Sequence, residues 1–217
     1  MSGGRPVLHG AFSEGFRAEL RDLMQWRRDV RRFRTDPVEA AVLDRCLSAF
    51  SLAPSVGLSE PWRLVRLDSP TARHAARSNF AAANAKALAG YSGKDAALYA
   101  NLKLSGMDQA PIQLAVFCDD ATEKGSGLGA ASMPEMRAYS VVGAITLFWL
   151  AARAEGLGVG WVSILDAAAL GHALDVPPSW RLVSLLCVGW PETQDLVPEL
   201  ERLGWERRAA TLSMEIR

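Results

Sequence analysis

Residues 149 to 164 read WLAARAEGLGVGWVSI and join the end of an apolar helix to a strand. The pattern predicts a helix from about Pro134 to Glu155 that is apolar on nearly every face, with Gly156 as its C-terminal stop. The strand then covers VGWVSIL, residues 159 to 165. The glycines at its start favour a tight helix-to-strand turn in which the backbone approaches another group closely. A dinucleotide-binding fingerprint needs the opposite order of strand, turn and helix, so that site is excluded here.

Hydrophobic periodicity in the rest of the chain predicts one α+β domain, with a sheet of at least four strands among several helices. Residues 112–118 are continuously apolar, which favours a central strand. Residues 1–12 are expected to be a flexible N-terminus, and the small polar stretch 119–133 a mobile loop. The other predicted strands are 62–67 and 181–190, and the other predicted helices are Ser13 to about Arg28, a helix capped by Asp36 with Pro37 as its first residue, one from Ser69-Pro70 to about Ala89, one ending near Gln109, and a short one capped by Asp166.

The charge balance and the absence of targeting patterns exclude several classes of protein. Lys+Arg and Asp+Glu both number 24, whereas a general nucleic-acid binder usually carries an excess of basic residues. The N-terminus lacks an apolar signal-peptide core, and the longest uncharged apolar stretch, 138–152, is shorter than the ~20 residues of a membrane span. The three cysteines and three histidines have no metal-binding spacing. We therefore expect a cytoplasmic protein with buried free thiols and without nucleic acid, membrane or metal.

The stretch RRDVR, residues 27 to 31, follows the first predicted helix. If the chain becomes extended at Arg28, the side chains of Arg27, Asp29 and Arg31 approach one side, because side chains alternate in a strand. Charged groups converging beside a helix end can clamp a phosphate. A solvated ladder of Arg–Asp pairs is the alternative, and the spacing alone favours it somewhat.

Two other candidates also have simpler explanations. Ser55 in APSVG follows a proline, and such a loop can offer N–H groups and a hydroxyl to a phosphate or a ring edge. An ordinary helix-to-strand connection explains the same residues. Ser163 lies in the apolar strand, where a serine usually hydrogen-bonds to backbone. GSGLGA, from Gly125, is only loosely like a phosphate loop, and a flexible surface loop explains it better.

Five segments together carry a family resemblance: RRDVR, APSVG, LKLSGMDQAP, WLAARAEGLGVGWVSI and LLCVGW. From about Phe12 to Arg208 the chain resembles the nitroreductase-fold flavoproteins, and within them the branch of 5,6-dimethylbenzimidazole synthases. The resemblance implies an intertwined α+β homodimer with a mostly antiparallel sheet and FMN at the subunit interface. It also implies that reduced FMN is the substrate, that O2 is the co-substrate and that the product is the lower ligand of vitamin B12.

The resemblance assigns roles residue by residue. Asp29 and Ser163 match the catalytic positions; most nitroreductases carry a hydroxyl residue where Asp29 stands. A carboxylate suits general base and acid work, whereas Ser163 has no adjacent base and suits hydrogen-bond donation better. The residues expected to bind FMN are Arg27, Arg28, Asp29, Val30, Arg31, Ser55, Lys103, Leu104, Ser163 and Arg208.

Two alternative functions stay open. One is an NAD(P)H-dependent FMN nitroreductase or flavin reductase, against which Asp29 argues. The other is a non-catalytic FMN-binding protein. If the chain is a 5,6-dimethylbenzimidazole synthase, NAD(P)H acts only through a separate flavin reductase that supplies reduced FMN. Two departures from the branch, Glu60 before Pro-Trp and Arg137 before the long helix, concern lid and dimer contacts more than the two catalytic positions.

Overall fold

The computed structural model describes residues 10–217, so most of the expected flexible N-terminus (1–12) lies outside the described residues. Within that range the chain forms seven α-helices and one four-stranded sheet. The helices are α1 (Glu14–Trp26), α2 (Ala40–Leu47), α3 (Pro70–Leu88), α4 (Gly93–Asn101), α5 (Met136–Ala154), α6 (Ala167–Ala173) and α7 (Glu199–Arg202). The strands are β1 (Trp62–Arg66), β2 (Ile112–Asp119), β3 (Gly158–Val162) and β4 (Trp180–Gly189). The predicted α+β class is confirmed.

The sheet has the order β1-β2-β4-β3, and every neighbouring pair is antiparallel. Strand β2 is central, as its continuous apolar run predicts, and β1 and β3 are the two edges. Because side chains alternate along a strand, Leu114 and Val116 enter one core cluster while Ala115 and Phe117 enter another. Both faces of the sheet are therefore covered.

One face packs on α2 and α5, and the opposite face packs on α3 and α6. The long apolar helix α5 supplies Val141, Ile145 and Phe148 to the first cluster, all with no exposed surface. It stops at the predicted glycine: Gly156 has φ +85°, a conformation that costs glycine little. The chain then enters β3 directly, so the end of α5 and the free edge of β3 lie side by side.

Three predicted boundaries are wrong, and at the first two a competing contact takes a group that the prediction used. Helix α2 begins at Ala40 rather than after Asp36, since the Asp36 carboxylate accepts from Arg34 Nε at 2.8 Å instead of capping a helix. Helix α4 ends at Asn101 rather than near Gln109, and the Lys103 carbonyl beyond it accepts from Arg31 at 3.1 Å. Strand β3 ends at Val162, which leaves Ser163 just outside it.

Candidate active site

The arginine segment, residues 27–31, lies along the free edge of β3 in place of a fifth strand. Asp29 forms a parallel bridge with Val159, and the Val30 N–H donates to the Val159 carbonyl at 3.0 Å. The Trp161 N–H donates to Asp29 Oδ1 at 2.8 Å. The carboxylate therefore accepts from an edge N–H that would otherwise donate to a carbonyl of a neighbouring strand. The predicted switch to extended backbone after α1 is confirmed.

The glycines of the opening stretch allow this approach. A Cβ at Gly158 would stand 2.8 Å from Val30 Cγ2, and one at Gly160 would stand 2.1 Å from the Val30 carbonyl oxygen. Both separations are shorter than a Cβ contact permits, so a larger residue would push the arginine segment off the edge. The predicted close approach of another group at GLGVGW is therefore confirmed, and the group is Val30: its side chain lies at Gly158 and its carbonyl at Gly160.

Asp29 and Arg31 form an ion pair that reaches a third segment. Arg31 Nη2 lies 2.9 Å from Asp29 Oδ2, and Arg31 Nη1 donates to the Lys103 carbonyl at 3.1 Å. The Arg31 side chain is only 13% exposed. One guanidinium thus ties the arginine segment at the edge of β3 to Lys103, which is 72 positions from Arg31 in the sequence.

Burial raises the pKa of the Asp29 carboxyl above its ordinary value. Arg31, the Trp161 N–H and Arg27 oppose this rise but do not cancel it. Although 31% of the side chain is exposed, the protein packed round the carboxylate desolvates it more than these neighbours compensate. A carboxyl with a raised pKa holds a proton more readily at neutral pH, which suits a group that must both take and return one.

The other arginines crowd positive charge at the same corner. Arg27 lies with its guanidinium carbon 4.8 Å from the centre of the Trp149 ring on α5. Burial, and then Arg208, lower the pKa of Arg27. Burial, Arg208 and Arg27 likewise lower the pKa of Arg28. A bound anion would offset the repulsion among these positive charges. The corner is therefore electrostatically suited to a phosphate.

Arg28 is already engaged by backbone. Its Nε donates to the Leu196 carbonyl at 2.9 Å, its Nη2 donates to the same oxygen, and its Nη1 donates to the Arg27 carbonyl at 2.9 Å. Arg28 therefore fastens the C-terminal segment around Leu196 across the arginine segment. The cavity between these two segments has a volume of about 50 Å³, too small for a flavin.

Ser163 lies at the same edge as Asp29. It follows the last residue of β3, is exposed, and is two positions beyond Trp161, whose N–H binds Asp29. At ~3.3 Å a residue, Ser163 is at most about 7 Å from Trp161 along the chain. Lys103 and Leu104 border a cavity of about 400 Å³ beside α3, and the Lys103 ammonium donates to Gln109 at 2.9 Å. These residues and the arginine segment are thus brought to one region.

Ser55 is not brought to that region. It precedes β1, at the other edge of the sheet. Trp62 of β1 pairs with Cys118 at one end of β2, whereas Val159 lies level with Ile112 at the other end. Three steps of ~4.8 Å across the sheet and six of ~3.3 Å along it separate the two corners. In one chain, Trp62 and Val159 are therefore about 24 Å apart, with Ser55 tied to Glu60 near the first and Asp29 bridged to the second.

The Ser55 corner is built from loops. Ser55 Oγ accepts from the Glu60 N–H at 3.1 Å, and the Val56 N–H donates to Ser140 Oγ on α5 at 3.0 Å. The predicted loop 119–133 begins with the last residue of β2, and residues 120–133 form no helix or strand. They pack against this corner: a Cβ at Gly125 would stand 2.3 Å from the Gly57 carbonyl oxygen. Glu60, one of the two departures, pairs with Lys124 of that loop.

The sequence did not reveal three contributors: the Trp149 ring, the Trp161 N–H and the Lys103 carbonyl. Each acts through a contact between distant segments, and two are backbone groups that every residue carries. Within residues 10–217 no cluster of His, Cys, Asp and Glu could hold a metal ion. In the same range no helix is both long and apolar enough to cross a bilayer.

Comparison with known proteins identifies the family of this chain. The profile of the Nitroreductase family matches residues 24–190. A Rhodospirillum rubrum protein named 5,6-dimethylbenzimidazole synthase is 54% identical over 197 residues, which cover 91% of this chain and 93% of that protein. A Rhodobacter capsulatus protein of the same name is 48% identical, covering 92% and 97%. The oxidized iodotyrosine deiodinase structure bound to FMN and 3-iodo-L-tyrosine superposes with a TM-score of 0.73 at 20% identity, covering 91% and 100%, and shows the fold alone.

The chain therefore belongs to the nitroreductase family of oxidoreductases, and within it to the group of the 5,6-dimethylbenzimidazole synthases. The resemblance drawn from the five sequence segments is confirmed, as is the predicted nitroreductase-like fold.

Proposed function

We propose that this protein fragments reduced FMN with O2 and releases 5,6-dimethylbenzimidazole, the lower ligand of vitamin B12. In this reaction the dimethylbenzene ring of the flavin is kept, and one ribityl carbon closes the new imidazole. One observation carries the proposal beyond the family: a carboxylate with a raised pKa, Asp29, is fixed at the edge of β3 beside Ser163. Relatives of the same group, identical at about half of the positions, bear the name of this activity.

The flavin phosphate would be held by Arg27, Arg28 and Arg208, the three guanidiniums whose charges crowd one corner. Arg27 is the best placed of them, because its neighbour is the face of Trp149 rather than a backbone acceptor. The remaining predicted FMN-binding residues of this corner, Val30, Arg31, Lys103, Leu104 and Ser163, would lie along the polar chain and ring edge. When bound, reduced FMN supplies both the electrons for O2 and the atoms of the product.

Asp29 would serve as the proton acceptor and donor. Its Oδ1 is fixed by the Trp161 N–H and its Oδ2 by Arg31, so the carboxylate cannot rotate away from the edge. Oδ1, which accepts only from the Trp161 N–H, keeps a further lone pair for a proton. Burial favours the neutral acid once a proton has been taken, and Arg31 favours the carboxylate once it has been returned. The same group can thus act in both directions.

Ser163 would act as a hydrogen-bond donor. It stands at the end of β3 where the chain leaves the sheet, and it is exposed. A serine becomes a nucleophile only beside a base that takes its proton, and the sequence offers no such partner. A positioned O–H can instead stabilise negative charge that develops on the flavin–oxygen system.

The complete site would require a homodimer. Ser55 is tied to Glu60 beside the start of β1, and Asp29 bridges Val159, at sheet corners about 24 Å apart in one chain, so a flavin held by both residues would lie between two chains. Apolar surface for such a contact is available: α1 has no buried residue, with Phe16 42% and Met24 51% exposed. On α5, Tyr139 and Val142 are 57% and 40% exposed. These two stripes would meet a second copy.

The supply of reduced flavin would come from a separate reductase, with NAD(P)H consumed there rather than here. A cytoplasmic setting fits the three cysteines, which are free and buried.

The Ser55 hydroxyl accepts from the Glu60 N–H and keeps its own proton to donate, which suits contact with a flavin oxygen or a phosphate across the interface.

One assay separates this function from its two rivals. Chemically reduced FMN is supplied in excess, the mixture with protein is exposed to air, and the products are separated by chromatography and weighed by mass spectrometry. Loss of FMN with a 5,6-dimethylbenzimidazole peak, absent without protein, is the expected result. Quantitative recovery of oxidised FMN would overturn the proposal. In a parallel reaction with NADH and oxidised FMN in place of reduced FMN, rapid NADH consumption with intact FMN would identify a reductase. Tight FMN binding without either reaction would identify a binding protein.

A further inference from the structure

Asn79, on α3, clamps the backbone of a residue 87 positions away. Its side-chain amide donates to the Asp166 carbonyl at 2.9 Å, and its side-chain oxygen accepts from the Asp166 N–H at 2.9 Å. Both polar groups of one peptide position are thus held by one half-buried side chain, as a neighbouring strand would hold them. An amide side chain can do this because it carries a donor and an acceptor side by side.

The clamp fixes the far end of the segment that carries Ser163. At its near end, Val162 is still paired in the sheet with Leu185 of β4. At its far end, Asp166 caps α6 through the Ala169 N–H at 3.0 Å and is held by Asn79. Residues 163–165 span these anchors outside any strand or helix, with the Leu165 N–H donating to the Ser163 carbonyl at 3.0 Å. The direction of the Ser163 side chain therefore depends on both anchors.

We propose that Asn79 is a positioning residue for Ser163. It acts through the backbone of Asp166, not by contact with flavin, and it is the tie from α3 that fixes where the chain turns after β3. The proposal rests on the function proposed above, in which Ser163 donates a hydrogen bond. Its chemical requirement is specific: the residue must present a donor and an acceptor together, so an alanine, which has neither, releases Asp166.

The clamp itself is tested without any activity. In Asn79→Ala, hydrogen exchange of the Asp166 amide should be about tenfold faster or more, because an N–H that has lost its acceptor opens to water. Ser78→Ala, at the exposed neighbouring position of the same helix, is the matched control and should leave that exchange unchanged. Unchanged exchange in Asn79→Ala would overturn the proposal.

The positioning role is tested by a double-mutant cycle with kcat for 5,6-dimethylbenzimidazole formation as readout. Asn79→Ala should lower kcat about tenfold, since misplacing a reacting group by ~1 Å costs up to 10²-fold, and should leave the FMN dissociation constant nearly unchanged. In a Ser163→Ala background the same change should cost nothing further. Asn79→Asp keeps only the acceptor and should lie between wild type and Asn79→Ala, which provides a milder variant if the alanine form folds poorly.

The outcomes distinguish the two proposals. If Ser163→Ala loses activity while Asn79→Ala keeps it, or if the two losses multiply in the double variant, Asn79 does not act through Ser163 and the inference fails alone. If Ser163→Ala is fully active, the proposed role of Ser163 fails and the positioning role of Asn79 fails with it. The exchange measurement then still reports whether the clamp holds Asp166.

Discussion

The two edges of the sheet carry the two halves of the predicted flavin site in different ways. At the β3 edge the arginine segment lies against the strand as extended backbone, and the Asp29 carboxylate takes the place of a strand carbonyl. Beyond the β1 edge, Ser55 sits in a loop held by side chains and by contact between glycines. Asp29 is therefore held by hydrogen bonds to the sheet, whereas the position of Ser55 depends on loop packing.

This difference suggests how the chemistry is divided. Groups that must be held at a fixed angle, Asp29 and Ser163, lie at the edge that the sheet makes rigid. The group proposed only to bind, Ser55, lies in the loops and would meet them only across a dimer. Single substitutions at the two edges test this division.

Asp29→Asn should lower 5,6-dimethylbenzimidazole formation by about 100-fold or more, within the range that general acid–base catalysis contributes. The amide oxygen can still accept the Trp161 N–H, so the edge contact survives and FMN should bind within a few-fold of wild type. Product yield and FMN fluorescence titration measure the two effects. Asp36→Asn is the matched control: Asp36 also pairs with an arginine two positions away, but at the surface, and its loss should change neither quantity. Unimpaired product formation in Asp29→Asn would remove Asp29 from the mechanism.

Gly160→Ala should destabilise the fold by about 2 kcal/mol, because the new Cβ would collide with the Val30 carbonyl and force the arginine segment off β3. Denaturant unfolding gives the free energy. In Gly15→Ala, at an α1 position where a Cβ meets nothing within 4 Å, stability should be unchanged or slightly higher. Equal stability of Gly160→Ala and wild type would mean that the close approach at this edge is wrong.

Ser55→Ala should weaken FMN binding by about tenfold, the typical cost of a hydrogen bond to a charged group. If two copies share each site, a purified heterodimer of Ser55→Ala and Asp29→Asn chains has one intact site and should show roughly half of the wild-type activity. With reduced FMN held well below the wild-type dissociation constant in every assay, each mutant homodimer should show about a tenth of the wild-type activity or less. A heterodimer no more active than the better homodimer would place both residues at one site within a single chain.

The smallest effect concerns pH and stability. Burial raises the pKa of Asp29 above its ordinary 3.8, so the folded protein binds a proton that the unfolded chain releases. The contribution of Asp29 to stability is therefore most favourable below pH 3.8. It is lost as the pH rises from 3.8 through the raised pKa. The free energy of unfolding of wild type relative to Asp29→Asn should fall over this interval. A rise would show that Arg31 dominates over burial.

The sequence predicted what depends on local pattern. The strand after Gly156, the central position of β2 and the extended backbone of residues 27–31 all follow from periodicity and turn chemistry. The predicted convergence of Arg27, Asp29 and Arg31 also agrees with the structure: Arg31 pairs with Asp29, and Arg27 contributes charge beside it. The Arg31–Asp29 ion pair does not exclude a phosphate site, because the Arg27 guanidinium faces the Trp149 ring rather than a backbone acceptor.

The sequence could not reveal competition between distant groups. Asp36 caps no helix because Arg34 takes its carboxylate, and α4 stops early where the Lys103 carbonyl serves Arg31. The grip of Asn79 on Asp166 has no local signature at all. Such contacts depend on which elements the fold brings together, and that is fixed only when the whole core packs.

The proposed reaction can be tested most directly by following atoms from flavin to product. Reduced FMN labelled with ¹³C throughout its ribityl chain is incubated with the protein in air, and the 5,6-dimethylbenzimidazole is isolated and weighed. The account predicts a product that carries one labelled carbon, because one ribityl carbon closes the imidazole while the remainder leaves. An unlabelled product, or FMN recovered with its label and ring system intact, would contradict it.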